Sequence, residues 1–402
     1  MHTNIKFLAM RSTAIKVIAA SLLFLLFILN CGAQQQSTNI ANVVTTAVPF
    51  LRISPDARSA GMGDLGVAMS PDPFTVFWNN AKTPFNETKG GIGATYTPWL
   101  RDLGLNDVFL ASLSGYYKFD DLQAISGSVR YFSLGDIQFT DNLGNDLNIF
   151  RPKEFGIDLG YSRKLSDKMG VGVTLKYIYS NLAGNFASGG SAYKPGTSVA
   201  GDISWYYDGK NEIGSGWSFG VNASNLGSKI AYTDNADQKD FIPANLALGS
   251  SYTKVIDDQN KISFGLDINK LMVPTPPAEG DSNGLAKYRT QSVVSSWFTS
   301  FTDAPGGAKE ELQEDQFSLG SEYWYNNQFG FRAGYFYENK YKGNRSAFNM
   351  GVSVKYNIFT VHFSYLFPSG SGVNRNPLSN TLRFTLLFDL SGQNGDNATE
   401  SK

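Results

Sequence analysis

The sequence predicts an all-β protein: a 14-stranded antiparallel transmembrane β-barrel with an N-terminal plug segment. Three observations predict it. Between residues 90 and 390, fourteen segments alternate apolar with small or polar side chains, the period of a strand whose two faces meet different surroundings. The connections joining them are short and long by turns. An apolar run close to the start has the make-up of an export signal.

That run comes first along the chain. Lys6, Arg11 and Lys16 precede the apolar stretch Val17 to Leu29, and small residues follow in CGAQQQ. Cleavage is expected after Ala33, which makes residues 1–33 a signal peptide. A lipoprotein signal anchored at Cys31 is the rival, disfavoured because Asn30 is a poor residue before a lipidated cysteine. Cleavage would remove the only cysteine, and with it any disulfide or thiol chemistry. No other run approaches the roughly 18 apolar residues that a membrane-spanning helix requires.

Residues 34–89 begin polar and continue through FLRISPDARSAGMGDLGVAMSPDPFTVFWNNAKTPF, where the density of Pro and Gly forbids long regular elements. A segment of this size ahead of the first strand is expected to fold inside the lumen as a plug. Within it GMGDLG, Gly61 to Gly66, matches the dinucleotide-binding pattern GxGxxG. That fingerprint needs a strand before it and a helix after it, whereas ISPDARSA precedes and Pro71 and Pro73 follow, so it reads as a glycine-rich turn.

The barrel, residues 90–390, has strands expected at 90–98, 108–118, 122–133, 153–163, 169–181, 196–207, 216–226, 243–254, 261–271, 316–325, 329–338, 346–356, 358–367 and 378–390. In LRFTLLFDL, Leu382, Phe384, Leu386, Phe388 and Leu390 share one face, and Arg383, Thr385, Leu387 and Asp389 the other. Connections after even-numbered strands are short turns such as LSDKM, DDQN and NNQ, and those after odd-numbered strands are mostly longer. A soluble sandwich or propeller has no reason to sort its loops by parity. An outer-membrane barrel does, having short periplasmic turns, longer outer loops and an even strand count. Closure also gives every backbone N–H and C=O an internal partner in lipid. The apolar faces are therefore assigned to acyl chains, and Arg383 and Asp389 to the lumen. Tyr and Trp near strand ends, as in SWYY and YWYNN, suit the interfacial aromatic girdles.

The long outer loop 272–315 contains VVSSWFTSF, which sets Val294, Trp297, Phe298 and Phe301 at i, i+3, i+4 and i+7, one face of a helix. Such a helix either packs on the barrel rim or binds a partner, and these four residues are the candidate anchors for the second role. Residues 391–402 form a polar C-terminal tail.

Composition narrows the chemistry. A net charge of -1 offers no electrostatic case for nucleic acid. The mean hydropathy of -0.21 looks soluble, yet averaging hides strands that alternate. No spacing for a metal appears and no cofactor is expected: His362 is the only histidine beyond the signal. GWSFG, Gly216 to Gly220, matches the nucleophile elbow G-x-S-x-G, but GWSFGVNASN goes on alternating as a strand where the elbow needs a helix. Ser218 and His362 would both face the lumen from six strands apart, too far for a hydrolytic pair.

The stretches FLRISPDARSAGMGDLGVAMS, FWNNAK, SFTDAPGGAKEEL, EYWYNNQFGFRAGYFYENK and NTLRFTLLFDL together resemble the PorV/PorQ family of type IX secretion outer-membrane proteins, within the wider group of FadL-like fourteen-stranded barrels. The resemblance runs from about Val48 to Leu390. It departs from the family pattern at Asn80, where Pro is expected after WN, and in the polar tail from Ser391. It implies a non-enzymatic barrel in the bacterial outer membrane, in contact with outer-membrane lipid. Such a barrel docks beside the giant outer-membrane translocon barrel, receives cargo carrying a C-terminal sorting domain and passes it to a sortase-like attachment complex at the surface. The alternative is a FadL-like transporter of hydrophobic small molecules. A lipopolysaccharide-modifying hydrolase, suggested for this family, is disfavoured by the separation of Ser218 from His362.

Overall fold

Fourteen antiparallel strands close on themselves in sequence order, the last pairing with the first. In this computed structural model the described residues are 42–390, except 102–103, 141–142, 185–186, 189–190, 235–238, 278–280 and 368–379. The expected signal peptide and the polar tail lie outside them.

The strands are β1 Gly90–Pro98, β2 Val108–Lys118, β3 Gln123–Leu134, β4 Lys153–Lys164, β5 Met169–Asn181, β6 Gly196–Asp208 and β7 Gly216–Gly227, followed by β8 Asn245–Val255, β9 Asn260–Leu271, β10 Gln316–Tyr325, β11 Phe329–Tyr337, β12 Ser346–Tyr356, β13 Phe359–Phe367 and β14 Leu382–Leu390. Their ends fall within a few residues of the expected ones, and the shifts have local causes. Pairing of β8 starts at Asn245 rather than 243 because Pro243 has no N–H to give to a ladder. The outer loops carry small ribbons that the sequence did not announce, such as Ile137–Thr140 with Asp146–Phe150.

Strand side chains divide as the alternation predicts. Phe384 and Leu386 are exposed on the outside of β14, while Arg383, Thr385 and Leu387 are buried inside. The outward face is the acyl-chain surface of an outer-membrane barrel. Among the described residues no helix is long and apolar enough to cross a membrane.

One irregularity interrupts the wall. Between β6 and β7 the register slips at Gly201/Ile203, and Asn225 takes φ 56°, a left-handed value that asparagine tolerates. The freed groups are satisfied from inside: Asp202 accepts from Asn225 N (2.8 Å) and pairs with Lys176 (2.8 Å), whose Nζ also donates to Asn225 Oδ1 (3.0 Å).

A small apolar core lies under the outer loops, where Val48, Phe50 and Leu51 pack with Trp99, Val108, Leu110, Phe132, Ile178 and Ile230. It seats the beginning of the segment that enters the lumen.

Candidate functional site in the lumen and on the outer rim

Residues 42–89 run inside the ring as single turns: a 3-10 turn Pro49–Arg52, α1 Ala57–Ala60, α2 Thr75–Trp78 and a 3-10 turn Asn80–Phe85. Turns this short satisfy few of their own backbone groups, so the wall completes them. Asp267 of β9 accepts from the N–H groups of Gly66 (2.7 Å) and Val67 (2.8 Å), and Thr385 of β14 accepts from Ala57 N (2.8 Å). Asn80, where the resemblance leads us to expect proline, is a hub. Its Nδ2 donates to the carbonyls of Tyr161 and Val173 (both 3.1 Å), and its Oδ1 accepts from Ser126 (2.7 Å) and Thr83 (3.0 Å). Lys82 is buried with its Nζ on the carbonyls of Gly66 and Met69, and burial pushes its pKa down to about 8.

Charge fastens the segment at two levels. In the periplasmic half, Arg58 forks onto Glu322 of β10 (2.8 and 2.9 Å) and reaches Asp72 (2.8 Å), while Arg332 of β11 shares Glu322 (2.6 Å). All three members of this Arg–Glu–Arg triad are buried. Nearer the outside, Arg130 of β3 lies over the Phe77 ring (4.7 Å) and donates to Leu51 O (3.2 Å).

Asp56 gives a pH handle. It caps α1 by accepting from Ser59 N (2.8 Å) and also accepts from Trp78 Nε1 (2.9 Å). Burial, then the charge of Asp72, pushes its carboxyl up to about 6. A raised carboxyl pKa means that the folded state binds the proton more tightly than the unfolded one, so stability from this group rises as pH falls from above 6 towards the unfolded value near 4. Asp56→Asn keeps one acceptor oxygen, enough for the cap on Ser59 N but not also for Trp78 Nε1, and loses the titration, so the change of the gap with pH and not its size is the readout. Wild type is therefore expected to gain on the variant in guanidinium midpoint between pH 7 and pH 5; a constant gap would refute the assignment.

The serine and histidine weighed from sequence do not meet. Ser218 donates to Asp208 (3.3 Å), whereas His362 Nδ1 is bonded to Ser353, which also accepts from Arg332. GWSFG lies within β7, and GMGDLG is a turn, as their flanking residues predicted.

On the outer rim the loop 272–315 folds into α3 Ser282–Thr290, α4 Val293–Thr299 and α5 Ala308–Glu311. It is tied down on several sides. Lys270 pairs with Glu311 (2.8 Å) and Glu314 (2.6 Å), Lys342 from the β11–β12 loop pairs with Glu314 (2.9 Å), and Lys229 from the β7–β8 loop donates to Arg289 O (2.8 Å). Helix α4 inverts the usual arrangement: Ser296 is fully buried, as is Ser300 just beyond, while Val294 is 58% and Phe298 73% exposed. Phe301 is exposed and Trp297 half-buried, so three of the four expected anchors face outward together.

Beside the luminal segment are cavities whose walls mix polar and apolar residues. One of about 80 Å³ is lined by Lys176, Asn222, Asn225, Asn245, Asn269 and Ser318 among others. It shares Arg52, Gln316 and Arg345 with a cavity of about 350 Å³ that reaches the outer face. No group of metal-ligating residues occurs among the described residues.

Against this geometry the comparisons are specific. The family model for the type IX secretion system protein PorV matches residues 34–278, which takes in the luminal segment and the first nine strands. The chain belongs to the PorV family. It is an outer-membrane component of the type IX secretion system. No curated protein matches it. Among solved structures, the toluene transporter TbuX of Ralstonia pickettii is similar with a TM-score of 0.51 at 13% identity, over 83% of this chain and 97% of that one. The Pseudomonas putida toluene transporter TodX reaches 0.49 at 12% identity, over 87% and 98%. At such identity the likeness to TbuX is one of fold, a FadL-like barrel.

Proposed function

We propose that this PorV-family barrel is a docking platform: cargo bearing a C-terminal sorting domain engages its outer rim beside the giant translocon barrel and is handed to the sortase-like attachment complex. The observation that carries the reading is the outward apolar face of α4 on a loop pinned by buried ion pairs. Exposed aromatic and aliphatic side chains on a rigid support lose little conformational freedom on binding, and buried aromatics dominate interface energies. Val294, Phe298 and Phe301 are the anchors, with Trp297 packed behind them. The luminal segment acts as a plug, leaving the work to the loops.

The test is Phe298→Asp combined with Val294→Asp. Cargo is expected to accumulate in the periplasm, and its co-purification with the barrel from detergent-solubilised membranes to fall at least tenfold, while heat-modifiable migration reports an intact barrel. Normal surface display of cargo would sink the proposal. A FadL-like transporter of hydrophobic small molecules calls instead for a continuous apolar path, whereas here Leu51, Val67 and Phe336 alternate with Asn222, Asn245, Asn269 and the charged Arg52, Asp64 and Lys176. Hydrocarbon uptake is accordingly expected to survive deletion of the chain.

A further inference from the structure

Arg52 ends the 3-10 turn Pro49–Arg52 and lines the outer cavity of about 350 Å³, whose border includes the exposed Val43, Thr45 and Pro49. The other cations of that cavity are neutralised. Arg345 is held in a fork by Glu338 (2.8 and 2.9 Å), and Lys342 by Glu314 (2.9 Å) and Glu310. Arg52 has no carboxylate within ion-pair distance among the described residues. Its acceptor is the neutral side-chain oxygen of Gln316, whose amide donates onward to Glu338 (2.6 Å). A guanidinium carries five donors in a rigid fork, so most of this one is unused. Burial, then Arg345, pushes its pKa down to about 10, against the opposing charges of Glu338 and Asp64. A partly desolvated cation with no carboxylate in direct contact is unfavourable, and an incoming anion would relieve it.

We propose that this cavity binds a singly charged carboxylate carried on a polypeptide, a chain end or an acidic side chain, with Arg52 as its bidentate anchor. Glu314 and Glu338 in the same wall disfavour a phosphate dianion. Thr45, Thr46, Gln316 and Lys342 offer partners to a peptide backbone, which an acyl chain would leave unused, while Val43, Val44, Pro49 and Leu271 offer apolar surface to its side chains. The volume is at the small end of the ~300–1,000 Å³ usual for ligand sites, enough for a short segment rather than a domain. The choice of a polypeptide carrier rests on the secretion reading; the carboxylate site itself does not.

The test is calorimetry on the full chain in detergent, with acetyl-Ala-Gly-Ala as the free acid, its C-terminal amide, inorganic phosphate and decanoate as probes. The free acid is expected to bind at least tenfold tighter than the amide. Arg52→Gln is expected to weaken it at least tenfold, and Arg52→Lys several-fold, because lysine keeps the charge and loses the fork. Should Arg52→Gln fail to fold, the lysine variant carries the comparison. Equal binding of acid and amide, or unchanged affinity in a folded Arg52 variant, overturns the site. Tighter binding of phosphate overturns the carboxylate, and tighter binding of decanoate overturns the polypeptide carrier. Failure of the secretion reading would appear elsewhere, as cargo displayed normally by cells lacking the chain, and would leave the Arg52 measurement intact.

Discussion

Replacing Gly334 with alanine is expected to unseat the luminal segment and to lower barrel stability by about 3 kcal/mol, the upper end for overpacking. A Cβ at this position would lie 2.0 Å from the backbone carbon of Met62 and 2.6 Å from the N of Gly63. Such contacts cannot be relieved by turning a side chain, because both parties are main chain. The neighbouring walls are equally close. Gly320, paired with Gly334 across β10 and β11, would bring its Cβ to 2.4 Å from Met62 O, and a Cβ on Gly351 of β12 would lie 3.3 Å from Gly61 Cα, a tight contact. Gly63 itself sits at φ 76° with Tyr335 backbone 2.8 Å from its missing Cβ. The segment is thus seated backbone to backbone on a glycine facet of the wall. Gly334→Ala and Gly320→Ala should both lower the guanidinium midpoint markedly. Gly127→Ala, whose added carbon would meet a single atom at 3.3 Å, should do so far less. Equal midpoints for the three variants would show that the facet is not a tight seat.

That facet marks where the sequence could be read and where it could not. The wall was legible because lipid imposes one rule on every strand: apolar outward, with period two. Fourteen independent segments then agree, and loop parity fixes which end faces out. GMGDLG was legible as a turn from its flanks, but the reason for its first two glycines was not, since that depends on Gly320, Gly334 and Gly351, more than 250 residues away. The small character of luminal positions in β10 to β12 was a signal in plain sight: glycines alternating with aromatics leave room for something inside.

The rim was half legible. Helical spacing at Val294, Trp297, Phe298 and Phe301 predicted α4, and the structure supplies it. Periodicity alone leaves open which face of a short helix is covered. The two serines decided it, because Ser296 and Ser300 fit close against the loop while Trp297 lies at the edge. Arg52 was not legible at all. Its interest comes from what its neighbours do with their carboxylates, a matter of three-dimensional pairing that no local pattern records. The charged residues that interrupt the small luminal faces, Asp267 in FGLDINK, Glu322 in GSEYWY and Arg332 in FGFRAGY, could have been singled out. A charge on that face needs a partner in the lumen.

Glu322→Ala is the substitution expected to do the most damage by charge alone. Glu322 stands between Arg58 of the luminal segment and Arg332 of the wall, and all three side chains are nearly inaccessible. Removing it leaves two guanidinium groups facing one another, with Asp72, bonded to Arg58, and the more distant Asp56 still opposing them. Breaking a buried pair by deleting one partner costs roughly 3–5 kcal/mol, mostly because the orphaned charge stays desolvated. The variant should therefore unfold at clearly lower guanidinium and, since Arg58 belongs to the segment that fills the lumen, should conduct ions in planar bilayers where wild type does not. The triple variant Arg58→Leu, Glu322→Met, Arg332→Met removes every member of the triad at once, strands no guanidinium, and leaves only the partly accessible Asp72 without its Arg58 partner. It is expected to be more stable than Glu322→Ala alone, which a simple count of lost bonds would not predict. If the triple variant instead loses as much as the three single substitutions summed, the triad stabilises by its attractions, and desolvation is not the controlling quantity.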